Sequence, residues 1–344
     1  SSQVKAPGAS PEAPPPAIGP ALGIAIENLP VVDSSTSAQP LTALLLYRVL
    51  GMGARWAGSL DGPRFLHTAP IPGESPEEAR SRSQRIHRCM PMTGTHLAYV
   101  NLIRGLDGWK EPDGSERHGV ARADLILVAR EPSPDEIELA RRERVELDVR
   151  PVARDAFVFI VNDQNPVSGL TLDQIRAIYT GAVKNWKDVG GSDAAIRAYT
   201  RDRNSGSQEL MEKLVMKGAK MIEGPDIMNL TSMMGPFNRI NADKNGIGYT
   251  VFYYEAAMAP PRSATQRSSV RPGGERRRKV LAVNGVAPAP KTIADGTYPL
   301  VTDVYAVVRK DTPTDHPAVR LRDWLLTPEG QAVVAESGYV PIAR

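Results

Sequence analysis

The stretch from Ala195 to Met211, AIRAYTRDRNSGSQELM, carries the clearest structural signal in this chain. Ala195 to Tyr199 alternates as a short strand does. The continuation QELMEKLVMKG places Leu210, Met211, Leu214, Val215 and Met216 at helical spacing before Gly218 stops it. Between them lies a small-residue turn. A strand, a turn and a helix N-terminus form an anion cradle, because free backbone N–H groups and the positive end of the helix dipole leave the turn together. Ser205 taken alone reads equally well as an ordinary N-cap.

The same alternation of strand and helix extends outward. Ala21–Val32 reads as a strand and TALLLYRVLG as an apolar helix ended by Gly51. Residues 54–91, rich in Pro, Gly, Arg and Ser, read as an excursion from the core. Then come a helix in HLAYVNLIRG, a strand in ADLILVA and a helix in PSPDEIELARRE, with Ser133 as its cap and acids in its first turn. AFVFIVN is a continuous apolar run suited to a strand buried on both faces. Thr171 caps an amphipathic helix, and further strands are expected at 246–254, 278–283 and 304–308, with helices closing the chain. The pattern predicts an α/β protein with largely parallel sheets.

At 344 residues there is room for two domains. A net charge of +3, without a basic stripe carrying interleaved aromatics, argues against a nucleic-acid partner. No apolar run reaches the length of a membrane span. The lead SSQVKAPGASPEAPPPAIGP, residues 1–20, has the composition of a tether. Cys89 is the only cysteine, which excludes an intrachain disulfide. With His87 it makes a weak metal pair, better read as a coincidence, and no metal or cofactor is expected.

The cradle at Ser205 has two counterparts. Asp33-Ser-Ser-Thr-Ser37 follows a strand and precedes an apolar helix, with hydroxyls at Ser34, Ser35, Thr36 and Ser37. Thr93-Gly-Thr95 opens the helix that runs to Gly105. Three hydroxyl-bearing helix starts, one accompanied by Arg201, suit a small desolvated oxyanion in the crevice where α/β sheets bind ligands.

These segments carry a resemblance. DSSTSAQPL at 33–41, TGTHLAY at 93–99, ADLILVAREPS at 123–133, the long block DAFVFIVNDQNPVSGLTLDQIRAIYTGAVKNWKDVGG at 155–191, RDRNSGSQELM at 201–211, GIGYTVFYY at 246–254 and LLTPEGQAVVAESGYVPI at 325–342 together resemble the phosphate-binding proteins of ABC-type phosphate importers. The NPVSGLT, IYTG, NW and VGG series is specific in order and spacing, and the SGSQ turn resembles one branch of that family. The resemblance implies a two-lobed type II periplasmic-binding fold with the anion in the interlobe cleft. Lobe 1 would comprise 21–154 and 301–344, and lobe 2 would comprise 155–300. It further implies an extracytoplasmic receptor for inorganic phosphate, monomeric, serving a membrane permease and tethered through a removed N-terminal segment. By motif, Thr36 and Ser37 match the family's first-lobe threonine region, and Thr95 matches the serine of its second turn loosely. Arg201, Ser205, Gly206 and Ser207 match its arginine and anion turn directly. Where the family has a proton-accepting aspartate after the strand ADLILVA, this chain has Arg130. Either Asp33 supplies the acceptor or Arg130 adds a second cation.

Other function classes fit less well. Gly51, Gly53 and Gly58 miss the dinucleotide spacing, and neither a GxxxxGK[ST] loop nor a GxSxG elbow occurs. His96 is the one histidine in a site turn; its other reading is a helix-surface or core residue. Asp155 and Asp163 read as structural groups at a hinge, and Tyr179 and Trp186 as core. No base and nucleophile come together, so a cleft phosphatase is the weakest alternative. A receptor for another oxyanion such as sulfate, or a surface sensor or scaffold on the same fold, are the others.

Overall fold

A computed structural model describes residues 15–58, 64–68, 73–110, 114, 116–201, 205–222, 227–230, 235–258 and 277–342. The Pro-, Arg- and Ser-rich stretch 259–274, a loop by its composition, lies outside these residues, as do most of the N-terminal lead and part of the 54–91 excursion.

Eight strands form the main sheet: β1 (Val32–Ser34), β2 (Leu125–Val128), β3 (Leu147–Asn162), β4 (Arg197–Arg201), β5 (Ile227–Leu230), β6 (Gly246–Val251), β7 (Arg278–Val280) and β8 (Val301–Arg309). Their order is β1-β2-β8-β3-β6-β4-β5, and β7 also pairs with β3. β3 is the spine. Its first part, Leu147–Ala156, pairs with β8, and its apolar end, Phe157–Val161, pairs with β6. Phe157, Val158, Phe159, Ile160 and Val161 are all fully buried, as an uninterrupted apolar run requires. Phe157, Phe159, Tyr179 and Tyr249 pack with ring centroids 5.3 to 6.2 Å apart, tilted or edge-on, and form an aromatic centre on the β6 side. Trp186 is buried there too, its indole N–H donating to the Asn245 carbonyl at 2.9 Å.

The sheet is mixed, not largely parallel. β1 runs parallel to β2, and β4 runs parallel to both β5 and β6, but β3 and β8 are antiparallel to their neighbours. Alternation of strands and helices cannot reveal this, because one long strand out and one strand back link two parallel groups.

Helices α1 (Gln39–Val49), α2 (Pro76–Cys89), α3 (Thr95–Arg104), α4 (Pro134–Arg142), α5 (Leu172–Tyr179), α6 (Gly206–Leu210), α7 (Gly235–Ala242), α8 (Pro317–Leu325) and α9 (Pro328–Ser337) complete the elements used below. Thr171 caps α5 by accepting from Gln174 N–H, and Glu136 at the third position of α4 accepts from Ser133 N–H at 2.9 Å. Two expectations change. Ala21–Val32 is not one strand: a helical turn at Gly19–Leu22 ends at Gly23 with φ +62°, a 3-10 turn spans Ile26–Asn28, and only Val32 onward is extended. A left-handed glycine and Pro30, which has no N–H, both interrupt a ladder. The excursion also contains a true helix. Ser75 and Glu78 cap α2 reciprocally, and Ile86 and Cys89 bury one narrow stripe of it. After α6 the chain widens into a π-turn at Met211–Met216 and ends at Lys217, φ +49°.

Asp155 sits where β3 passes from β8 to β6. Its Oδ1 accepts from Ala156 N–H at 2.8 Å and Tyr253 N–H at 2.9 Å. Burial pushes this carboxyl up to about 7. Unfolded, it titrates near pH ~4, so between about pH 4 and 7 the folded chain keeps a proton that the unfolded chain has released. This group's contribution to stability therefore falls as pH rises through that window, by up to ~1.4 kcal/mol per pH unit. Asp155→Asn is expected to abolish that share of the fall. Melting curves from pH 5 to 7.5 should show the parent losing ground to the variant, and a constant gap between them would contradict the assignment.

Candidate functional site

The three hydroxyl-bearing turns lie at the ends of β1 and β4 and at the start of α3. Asp33, fully buried, fastens the first turn to the second. Its Oδ1 accepts from Ser34 N–H at 2.7 Å and Thr93 N–H at 3.1 Å. Its Oδ2 accepts from the Thr93 hydroxyl and from Asn101 Nδ2, both at 2.8 Å. Burial raises this carboxyl's pKa, and the four donors oppose the rise. Gly94, at φ +92°, lets the chain turn between Thr93 and Thr95, and its N–H donates to the Ser34 carbonyl.

Within the first turn, the Ser35 and Ser37 hydroxyls lie 3.2 Å apart, and Ser35 Oγ accepts from Ala38 N–H. Ser35 and Ser37 are buried, Thr36 half-buried. The turn is held from behind by Tyr339, whose hydroxyl donates to the Ser37 carbonyl at 2.8 Å and whose ring stacks on Tyr253 at 3.9 Å. Tyr253 is the same residue whose N–H reaches Asp155. Neither tyrosine carries a signal in the sequence that separates it from ordinary core.

In the third turn Ser205 caps α6, accepting from Gln208 N–H at 3.1 Å. Arg201 ends β4 and is buried. Its backbone N–H donates to the Tyr249 hydroxyl at 3.0 Å and to Gln208 Oε1 at 3.3 Å, and Tyr249 bonds Gln208 Oε1 in turn. Burial raises the Tyr249 and Tyr254 hydroxyls, and the charge of Arg201 opposes both rises. Ser207 and Gln208 are buried in the same turn.

The second and third turns meet face to face: a Cβ on Gly206 would stand 3.0 Å from Thr95 Oγ1. Thr95, from the β1–β2 side, and Gly206, from the β4–β6 side, therefore lie in contact. Arg130, just past β2, lies beside that contact and is engaged by protein groups. It holds Glu136 through two bonds of 2.8 Å, donates to the Glu131 carbonyl at 2.9 Å, and pairs closely through Nε with Glu209 of α6. His96 joins this group, its Nδ1 2.9 Å from Glu136 Oε1. Burial would raise Glu136, but Arg130 and His96 outweigh it and hold its carboxyl below the usual range. Glu209 goes the other way, raised by burial to about 7.

Among the described residues no group of three or more His, Cys, Asp or Glu side chains is placed to hold a metal ion. Cys89 is buried, with Sγ 3.6 Å from the Leu29 carbonyl. Hydroxyl and N–H groups of the three turns, with buried Arg201 at the end of β4, are chemically a donor set suited to an oxyanion.

The family model described as a PBP superfamily domain matches residues 110–329. The chain belongs to the PBP superfamily. Its type II periplasmic-binding fold is shared with an ABC-type phosphate transport receptor from Vibrio cholerae, at TM-score 0.56 and 19% identity, covering 91% of this chain and 99% of that one. Among curated proteins, this PBP-superfamily chain is 27% identical over 186 residues to the phosphate-binding protein PstS of Bacillus subtilis, covering 53% of each chain. It is 24% identical over 223 residues to PstS of Borreliella burgdorferi, covering 63% of this chain and 72% of that one. The matched region thus spans about half the length of the first relative. No helix among the described residues is long and apolar enough to cross a membrane.

Proposed function

We propose that this chain is an extracytoplasmic receptor that captures inorganic phosphate in the cleft between two lobes and passes it to an ABC-type permease. The observation that carries this reading is the convergence of Thr95 and the Ser205–Ser207 turn, with buried Arg201 ending the strand that leads into that turn. The relatives named as phosphate-binding proteins support it. Lobe 1 comprises 21–154 and 301–344, and lobe 2 comprises 155–300, the crossings falling where β3 leaves β8 and where β8 begins. The stretch ahead of Ile18, which itself packs against the core with its N–H on the Arg48 carbonyl, acts as a tether.

Capture involves no chemistry. Arg201 supplies the countercharge, and Ser205, Gly206 and Ser207 supply helix N-terminal donors. Ser35, Thr36, Ser37 and Thr95 close the cradle from lobe 1. Desolvation of the anion is offset by charge-assisted hydrogen bonds formed in a site that water leaves. Asp33 and Arg130 act from behind the cradle. Both Asp33 oxygens already accept two hydrogen bonds each, and two carboxylates neutralise Arg130.

The purified protein tests this directly. Denatured after gel filtration in phosphate-free buffer, it should release close to one phosphate per chain. No phosphate from protein grown in phosphate-rich medium would favour a scaffold role. Turnover of a phosphomonoester, lost in Ser205→Ala, would favour an enzyme. Gly206→Ala supplies a second check. Alanine suits the helix at this position, but its methyl would press on Thr95 Oγ1 at 3.0 Å and hold the walls apart. Phosphate affinity should fall about tenfold, ~1.4 kcal/mol, with the melting temperature nearly unchanged. Undiminished affinity in titration would separate Thr95 from the site.

A further inference from the structure

Arg130 and Glu131 are consecutive residues on the β2 side of the cleft, and Glu209 and Lys213 lie four residues apart on the facing helical segment. Residues at that spacing share one helix face. The charges are matched in order. Arg130 Nε meets the Glu209 carboxylate, and Lys213 Nζ lies 2.9 Å from Glu131 Oε2. Arg130 is 6% exposed and its geometry is set from its own side, by the two bonds to Glu136, the bond to the Glu131 carbonyl and the Tyr99 ring, 5.6 Å from its guanidinium carbon. It is therefore a fixed cation presenting one N–H across the cleft. The Thr95–Gly206 contact adjoins this line, since Thr95 precedes His96 of the Glu136 cluster and Gly206 precedes Glu209 by three residues.

We infer that Arg130–Glu209 and Glu131–Lys213 form a two-rung ionic latch between the lobes, which holds the cleft shut and slows release of the bound anion without touching it. The inference rests on the receptor reading for its functional consequence, though not for its structural one. All four residues are positioning residues. Opening the cleft separates both pairs at once, so their attraction opposes opening whatever occupies the cradle. The outer rung, with Glu131 53% and Lys213 61% exposed, is screened and contributes little; the inner rung is shielded from water, and because burial raises the Glu209 carboxyl to about 7 it attracts Arg130 fully only above that pH.

The outer rung allows a test without risk to the fold. Lys213→Glu and Glu131→Lys each place like charges opposite one another, and the double exchange restores the attraction. Two quantities are measured for parent, singles and double: the radius of gyration of anion-stripped protein by small-angle X-ray scattering, and the phosphate dissociation rate by stopped flow. Each single should expand the stripped protein and speed release about two- to fivefold, the range for exposed pairs, and the double should return both values to those of the parent. Glu209→Gln, acting on the inner rung, should speed release about tenfold at about pH 8, where the Glu209 carboxyl is ionised. Additive effects of the two singles, with no recovery in the double, would overturn the latch. So would a radius of gyration unmoved in every variant. If the parent binds no phosphate, the receptor reading fails by itself, and scattering from the stripped proteins still decides the latch.

Discussion

Arg201→Ala is expected to weaken phosphate binding by about 3 kcal/mol, roughly a hundredfold in dissociation constant, while leaving the fold intact. Arg201 is 6% exposed at the end of β4, and in the receptor reading its guanidinium supplies the countercharge to the anion. Removing it leaves a desolvated anion facing neutral donors alone, which is the costly case for a buried ion pair. The backbone of residue 201 keeps its bonds to Tyr249 and Gln208 in the variant, so the turn itself should survive. Arg201→Lys should recover part of the loss, because it restores charge without the planar fork. Isothermal titration of the two variants beside the parent measures both steps. Equal affinity in all three would remove Arg201 from the site.

Asp33→Ala should act differently, through the architecture. Its carboxylate accepts from Ser34 N–H, Thr93 N–H, the Thr93 hydroxyl and Asn101 Nδ2, the first and last of these in a fully buried setting. Truncation strands those donors at once. A loss of about 3 to 5 kcal/mol of stability is expected, read as a lower midpoint in urea unfolding at pH 7. Phosphate affinity should fall as well, because the turn at 93–95 loses its anchor to the turn at 33–37. Were Asp33 only an acceptor for a protonated anion, the variant would bind sulfate better and unfold at nearly the parent's midpoint. The combination of lost stability and lost affinity separates the two roles.

Local chemistry was legible where a residue acts on its own neighbours. Thr171 and Ser205 announce helix starts because each accepts from an N–H three residues on, and Ser133 because Glu136 accepts from its N–H across the same distance. AFVFIVN announces a doubly buried strand for the same reason, since its apolar run is local. What the sequence hid is relational. That β3 runs on for 16 residues and pairs with three different strands, β8, β6 and β7, depends on segments far downstream. Asp33 reads as a candidate ligand group, but Thr93 and Asn101, some sixty residues away, occupy its oxygens. Arg130 reads as a departure from the family aspartate. Its partners Glu136 and Glu209 come from two different helices, one on each side of the cleft. Tyr253 and Tyr339 back the first turn only because the C-terminal segment returns past β3, where Arg154 and Val340 bridge. The α2 helix escaped notice because nearly all of its face is polar, with its capping box at Ser75 the one local sign.

The receptor reading stands or falls on one titration. Protein unfolded to strip bound anion, refolded, and titrated calorimetrically with phosphate and then sulfate should bind one phosphate per chain, with sulfate giving little heat at the same concentration. Silence toward phosphate, or sulfate bound as tightly as phosphate, would contradict a phosphate receptor.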